Sequence, residues 1–143
     1  MIPIKVLVPS GVLGLGFDLE ALKHGIENNP DIISIDGGST DSGPFSLGSG
    51  TSKYSRAAIK AEWKSLMTAR QKANVPLVIG SCGTCGTNGM VDWMENITIE
   101  LAEELNQHLK IAKLYCDQEK NYIKKNYKLN KILSLNPAPK LNN

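Results

Sequence analysis

The stretch DIISIDGGSTDSG, residues 31–43, decides the fold, because an apolar run typical of a β-strand passes directly into a glycine-rich loop. The same succession occurs twice more in the chain. Residues 4–8 lead into SGVLGLG at 10–16, and residues 76–79 lead into GSCGTCG at 80–86. Loops at the carboxyl ends of parallel strands lie side by side, so we expect the three loops to line one crevice.

Helix patterns alternate with these strands. Asp18 is placed to cap a helix that stops at Asn28, and Ser55 is placed to cap a second helix that ends ahead of Pro76. Apolar residues at helical spacing then predict a helix through 94–105, a fourth strand through 109–114 and a lysine-rich helix over 118–127.

This alternation predicts an α/β fold of the Rossmann-like or flavodoxin-like kind: a doubly wound, mainly parallel four-stranded sheet between two layers of helices. The first strand is apolar on both of its faces, as a strand covered by helices on each side should be. We expect the strand order 2-1-3-4, which puts a switch point beside the first and third loops.

Composition limits the classes of function. A chain of 143 residues, 41% of them hydrophobic, predicts one domain over residues 1–130 with an irregular tail at 131–143. The net charge of +2 is too small to indicate nucleic acid or a membrane surface as partner. The chain has neither a run of ~20 apolar residues nor a secretion signal, so we predict a cytoplasmic protein with reduced thiols.

Asp36 and Asp41 bracket the first turn of the second loop and are the candidate catalytic residues. Two carboxylates near a strand end can act as general base and ligand orienter, or can hold a divalent cation through oxygen. The alternative is that both accept hydrogen bonds from backbone amides and cap turns. We predict no resident cofactor, with a divalent metal at these two residues as the other interpretation.

Backbone amides freed by small residues are the candidate substrate-binding groups, since they can approach an anion or a carbonyl. Gly11 and Gly38 supply such amides. Ser55 and Arg56 begin a helix after the second loop, where free amides and a guanidinium would suit a phosphate or carboxylate. The alternative for these two is a helix cap and a solvated arginine.

Cys82 and Cys85 have the spacing of a dithiol redox site between a strand and a helix. A zinc site is disfavoured because one such pair supplies two of four ligands, and His24 and His108 are far apart on separate helices. The alternative is that cysteine is small enough for a tight turn. The glycines of the first loop lack the dinucleotide-binding spacing, so no nicotinamide or flavin is predicted.

Several of these motifs together resemble the amino-terminal region of the acyclic terpene utilisation family. They are SGVLGLGF (10–17), IDGGSTDSGP (35–44), LGSG (47–50), SRAA (55–58), IGS (79–81), DW (92–93) and LNPAP (135–139). The resemblance spans nearly the whole chain, and the loop at 37–44 is its most specific part. Members of that family are longer, which implies a further carboxyl-terminal domain absent from this chain.

The resemblance implies an enzyme that acts on a branched acyl-CoA thioester or hydroxy acid, with lyase-type carbon-carbon cleavage, in a homo-oligomer. The site residues that it carries over are Asp36, Ser39, Thr40, Asp41, Ser55, Arg56 and Ser81. Cys82 and Cys85 stand where the family is expected to have small residues, which counts against a redox role.

Two alternative functions remain open: a non-catalytic domain that binds an acyl-CoA or small acid, and a dithiol oxidoreductase. The lysine-rich helix is expected to be solvated or to contact the further domain.

Overall fold

A computed structural model describes residues 3–38 and 44–133 of the chain. In chain order the elements are β1 (Val6–Leu7), α1 (Leu19–Glu27), β2 (Ile32–Asp36), α2 (Phe45–Ser49), α3 (Arg56–Ala73), β3 (Leu77–Gly80), α4 (Asn88–Glu104) and α5 (Lys120–Lys128). Residues 1–2, 39–43 and 134–143 lie outside this description.

The described strands form a three-stranded sheet in the order β1-β2-β3, and both pairs are parallel. Leu7 lies opposite Ile33, which in turn lies opposite Leu77. The prediction of a four-stranded, doubly wound sandwich is therefore wrong, and so is the order 2-1-3-4. The central strand is β2, so there is no switch point between β1 and β3.

The predicted fourth strand, residues 109–114, is not a strand and pairs with neither edge of the sheet. It runs back along α4 and is held there by polar contacts. The Lys113 ammonium binds Asp92 Oδ1 at 2.9 Å and Glu95 Oε2 at 2.6 Å, and these carboxylates raise the pKa of that ammonium. Lys110 and Lys113 put one ammonium group on each alternating side of the segment, so neither side is wholly apolar.

The strand order also decides where the helices lie. Right-handed connections between strands that are consecutive in both chain and sheet bring every helix to the same face. In agreement, α1 packs on α3 and α3 packs on α4. The core lies between these helices and one face of the sheet, and its buried members are Leu13, Leu22, Ile33, Ile35, Ile59, Trp63, Leu66, Met67, Cys82, Met94, Ile97 and Leu101.

Local sequence signals fix the helix ends. Asp18 accepts hydrogen bonds from the amides of Glu20 and Ala21 at the start of α1, as predicted. The Ser55 hydroxyl accepts from the Ala58 amide at the start of α3. Thr87 caps α4 in the same way by accepting from the Met90 amide.

The second face of the sheet, which we call the open face, carries no helix among the described residues. Val6, Val8 and Val78 are 55%, 58% and 46% exposed, and Ile4 is 76% exposed. The expectation that helices cover β1 on both sides is therefore wrong, because the connections all return on one side. Within the described ranges no helix has the length and apolar character needed to cross a bilayer.

Candidate functional site

The three glycine-rich loops meet at the carboxyl edge of the sheet through backbone hydrogen bonds. We call them loop 1 (residues 9–17), loop 2 (residues 37–54) and loop 3 (residues 81–87). The Leu13 amide donates to the carbonyl of Asp36 at 2.8 Å, which joins loop 1 to the end of β2. The Thr84 amide donates to the carbonyl of Gly37 at 3.2 Å, which joins loop 3 to loop 2. The loops therefore lie side by side.

Gly38 is buried at this junction, and its lack of a side chain permits the close approach of loop 3. A Cβ atom there would lie 2.6 Å from the Thr84 amide nitrogen, and its φ of 154° disfavours other residues. A Cβ at Gly37 would similarly lie 2.7 Å from the carbonyl oxygen of Gly80. Both glycines thus serve the packing of the loops against each other.

Asp36 ends the central strand, and its side chain belongs to the open face, opposite Gly80. Its Oδ1 atom accepts a hydrogen bond from the Gly38 amide at 3.0 Å, which is the turn-capping role that the sequence allowed. Its Oδ2 atom has no hydrogen-bond partner among residues 3–38 and 44–133. The carboxylate is therefore oriented through one oxygen and exposed through the other.

The remaining loop 2 candidates Ser39, Thr40 and Asp41 fall outside the described residues, so the predicted pairing of Asp36 with Asp41 is not described. In the part of the chain that the structure describes, no three metal-ligating side chains come together.

Loop 3 holds strained backbone next to Asp36. Ser81 has a φ of 47° and Thr84 a φ of 75°, both in the left-handed region that β-branched residues in particular avoid. Such residues cost roughly 1–3 kcal/mol each and persist where their surroundings fix them. Thr84 is 1% exposed, and its hydroxyl accepts a hydrogen bond from the Lys53 amide at 3.1 Å. The sequence analysis missed Thr84, because only its flanking glycines marked the turn.

Loop 1 is held by a residue that the sequence analysis also missed. The Glu62 carboxylate on α3 accepts hydrogen bonds from the Gly14 and Gly16 amides, both at 2.7 Å. Both glycines have left-handed φ values, which point their amides toward the same carboxylate. The anion-binding capacity expected of this loop is thus used by the chain itself. Gly11, by contrast, is exposed, and a Cβ there would meet no atom within 4 Å.

Ser55 and Arg56 have structural roles, a helix cap and a surface ion pair, in place of the ligand-binding roles that the sequence also allowed. Ser55 is a helix cap. Arg56 pairs with Glu100, and Lys60 bridges Glu100 and Glu104 at 3.0 and 2.6 Å. The Arg56 guanidinium and then the Lys60 ammonium lower the pKa of Glu100. The arginine is therefore engaged on the outer surface between α3 and α4 and does not join Asp36.

The two loop 3 cysteines differ in environment, and both are free thiols. Cys82 is 8% exposed within the core, and its burial raises the pKa of the thiol. Cys85 is partly buried, with its Sγ atom 3.5 Å from the Thr87 hydroxyl. Because the thiolate is the reactive form, the environment of Cys82 opposes redox chemistry and favours a packing role.

A shallow groove of about 360 Å³ lies at the far end of α4, away from the three loops. It contains none of the predicted site residues, and its lining residues are Ile99, Ala102, Glu103, Asn106, Gln107, His108, Leu109 and Ile111.

Comparison of the chain with family models, with curated proteins and with solved structures found no match in any of the three. The resemblance to the acyclic terpene utilisation family therefore rests on the quoted motifs alone and stays a prediction.

Proposed function

We propose that the carboxyl edge of the sheet is a small-molecule binding site and that Asp36 is its reactive carboxylate. The observation that carries this proposal is the state of Asp36: one oxygen is fixed by the Gly38 amide, while the other has no described partner. A general base needs this combination of fixed orientation and a free lone pair. It lies at the carboxyl end of a parallel strand, the edge of the sheet at which open α/β folds bind ligands, although this sheet order has no switch point there.

For the reaction we propose cleavage of a branched 3-hydroxyacyl thioester, as the family resemblance implies. Asp36 would take the proton of the substrate hydroxyl, and the oxygen would form a carbonyl as the adjacent carbon-carbon bond breaks. The electron pair of that bond would pass to the thioester as an enolate, which needs hydrogen-bond donors before it is protonated. Of the predicted donors in the described residues, Gly11 is exposed, and a Cβ atom there would meet no atom within 4 Å.

The loops bind two of the chain's own carboxylates, which shows that their backbone amides can hold an anion. Glu62 occupies two amides of loop 1, and Asp36 occupies one amide of loop 2. Those amides are occupied by the chain itself, so a ligand oxyanion would use other backbone amides of the same loops, such as that of Gly11, through charge-assisted hydrogen bonds. The chain would act as the amino-terminal domain of the enzyme.

The second candidate is a non-catalytic domain that binds the same class of ligand. One observation favours it: Arg56 and the amides of loop 1 are engaged by Glu100 and Glu62. Fewer groups are then available to stabilise the charge that develops in the transition state. A dithiol oxidoreductase is disfavoured, because Cys82 is 8% exposed and its burial raises the pKa of the thiol.

Asp36→Asn tests the proposal, with Asp31→Asn at the opposite end of β2 as the matched control. Asp31 accepts a hydrogen bond from the Lys5 amide, and the carbonyl oxygen of an asparagine can replace each acceptor. Calorimetry would measure binding of a branched 3-hydroxyacyl-CoA, and release of the carbonyl product would measure turnover. We expect Asp36→Asn to lower turnover by about 10²–10⁴-fold with little change in binding.

Binding without turnover in the unchanged chain would favour the non-catalytic domain. Equal turnover in the unchanged chain and in Asp36→Asn would remove Asp36 as the base.

A further inference from the structure

The positive charge of this chain is concentrated in α5, although the chain as a whole is nearly neutral. The nine residues of α5, KNYIKKNYK, include four lysines and no acidic residue. Since the whole chain carries a net charge of +2 and α5 carries +4, the rest of the chain carries −2. The total charge, on which the exclusion of a membrane surface rested, conceals this local excess. A concentrated basic segment attracts an anionic surface even where the net charge is small.

The lysines of α5 and its apolar residues lie on opposite sides of the helix. At about 100° per residue, the four lysines fall within an arc of about 140°, and Tyr122, Ile123 and Leu129 fall within an arc of about 120° on the other side. The apolar side is uncovered, because these three residues are 57%, 41% and 54% exposed and no residue of α5 is buried. A basic side opposite an apolar side is the pattern of a helix that lies in a membrane interface.

The helix has little support of its own in water. It is nine residues long, and its N-cap residue Glu119 makes no capping hydrogen bond through its side chain. Helices shorter than about 12–15 residues are marginal in water, and most helices in proteins are stabilised by the packing of one amphipathic face. A surface that covers Tyr122 and Ile123 would supply this packing.

The start of α5 places the helix at the carboxyl edge of the sheet. Asp117, three residues ahead of α5, exchanges two hydrogen bonds with Asn88. The Asn88 amide donates to Asp117 Oδ2 at 3.2 Å, and the Asp117 amide donates to Asn88 Oδ1 at 3.3 Å. Asn88 begins α4 directly after loop 3. The helix α5 therefore leaves the body of the protein beside the three glycine-rich loops.

The same edge carries exposed apolar side chains. Leu15 of loop 1 is 66% exposed, and Phe45 and Leu47 of loop 2 are 78% and 63% exposed. Both ends of loop 2 form hydrogen bonds with Thr84 of loop 3, so loop 2 is fixed at this edge. Apolar side chains beside a basic amphipathic helix can enter the interfacial region of a bilayer while the ammonium groups stay with the lipid phosphates.

Nucleic acid is the other anionic partner that a basic helix can bind. In nucleic-acid sites, aromatic rings stack on bases in the same groove whose cations follow the phosphates, so rings and cations share one face. In α5, Tyr122 lies on the apolar side together with Ile123 and Leu129. This arrangement favours a lipid surface.

From these observations we propose that α5 and the loops at the carboxyl edge form a surface that binds anionic membrane lipids. Tyr122, Ile123 and Leu129 enter the membrane interface together with Phe45, and the lysines of α5 bind the lipid phosphates. Neither contact requires the proposed catalytic role of Asp36.

The test is co-sedimentation of the full chain with lipid vesicles. We expect the protein to sediment with vesicles of mixed phosphatidylcholine and phosphatidylglycerol, and to remain in solution with vesicles of phosphatidylcholine alone. High salt should release the protein, because it screens the lysines from the lipid charge.

Matched variants separate the charged contact from the apolar one. Lys124→Gln should lower the partition coefficient about fivefold, whereas Lys110→Gln, beyond the carboxyl end of α4, should lower it by less than about twofold. Ile123→Ser and Phe45→Ser should each lower it about tenfold, whereas Ile4→Ser, at the amino end of β1, should leave it unchanged. All five side chains are exposed, so each variant should keep the fold.

The proposal is overturned if the full chain stays in solution with the anionic vesicles, or if it binds both kinds of vesicle equally. It is also overturned if the variants of α5 and loop 2 behave like their controls. A labelled single-stranded oligonucleotide that displaces the protein from vesicles, at an equal concentration of phosphate, would assign α5 to nucleic acid and overturn it as well. These readouts use neither a substrate nor an Asp36 variant, so a failure here is distinct from a failure of the proposed catalytic role.

Discussion

The two faces of this sheet carry similar aliphatic residues, but one face is buried and the other is exposed. On the helix-covered face Ile33 and Ile35 are 0% and 3% exposed, whereas on the open face Val6 and Val78 are about half exposed. Each fully buried aliphatic side chain contributes roughly 1.5–3 kcal/mol relative to an exposed one. The difference teaches that strand order and the handedness of the connections, rather than residue type, decided which face was buried.

The largest expected effect is the difference in unfolding free energy between truncating a residue on the covered face and truncating one on the open face. Ile33→Ala on the covered face should lower the free energy of unfolding by about 2–5 kcal/mol, because it leaves a cavity in the core between the sheet and the helices. Val78→Ala on the open face should lower it by about 0.5 kcal/mol or less, as exposed substitutions do. Urea unfolding of both variants measures this difference. A loss well above that figure for Val78→Ala would show that the open face is covered in solution and would break the comparison.

An intermediate effect is expected at the carboxyl edge, where both faces end. Gly38→Ala places a Cβ against the buried backbone of Thr84, so we expect a loss of about 1–3 kcal/mol in unfolding free energy. Gly11→Ala is the matched control, because its Cβ would enter open space and its stability should change by less than about 0.5 kcal/mol. Urea midpoints of the two variants give the measurement. Equal stability of both would contradict the close contact of loops 2 and 3.

The smallest effect concerns the ion pairs on the outer surface of the helix layer. The pKa of Glu100 is lowered by Arg56 and then Lys60, and the pKa of Glu104 is lowered by Lys60 and then Lys64. A carboxylate with a lowered folded pKa stabilises the fold above its unfolded pKa of about 4.3, and this contribution is lost as pH falls through the folded value. Glu100→Gln should therefore be less stable than the unchanged chain at neutral pH, and the two should converge in acid.

Urea midpoints at pH 7 and near pH 3, in low and high salt, would measure this convergence. Salt should also reduce the difference, because the groups are exposed and screened. Glu103→Gln, with no described ion pair, is the matched control and should show neither dependence. A difference between Glu100→Gln and the unchanged chain that is the same at both pH values would contradict the role of the ion pairs.

Local features of the fold were predictable because they depend on neighbouring residues. The caps at Asp18 and Ser55, the buried stripe of α3 and the positions of the three strands all follow from spacing within a few residues. The fourth strand was wrong because an apolar segment does not by itself specify a partner, and Lys113 tied this one to α4.

The candidate site was predictable in part for the same reason. The sequence placed Asp36 at a strand end and also allowed its turn-capping bond. It could not reveal that Glu62, 46 and 48 residues from Gly16 and Gly14, would occupy loop 1. Nor could the sequence reveal that Arg56 would form an ion pair with Glu100, 44 residues away. Contacts over such separations depend on how the helices pack.

The sequence by itself determined the repeated succession of strand, glycine-rich loop and helix, because caps, turns and apolar periodicity act over a few residues. The tertiary structure alone decided that β2 is central, that all packed helices share one face and that the loops bind internal carboxylates. The physical reason is that the pairing of strands and the handedness of their connections are properties of the whole chain.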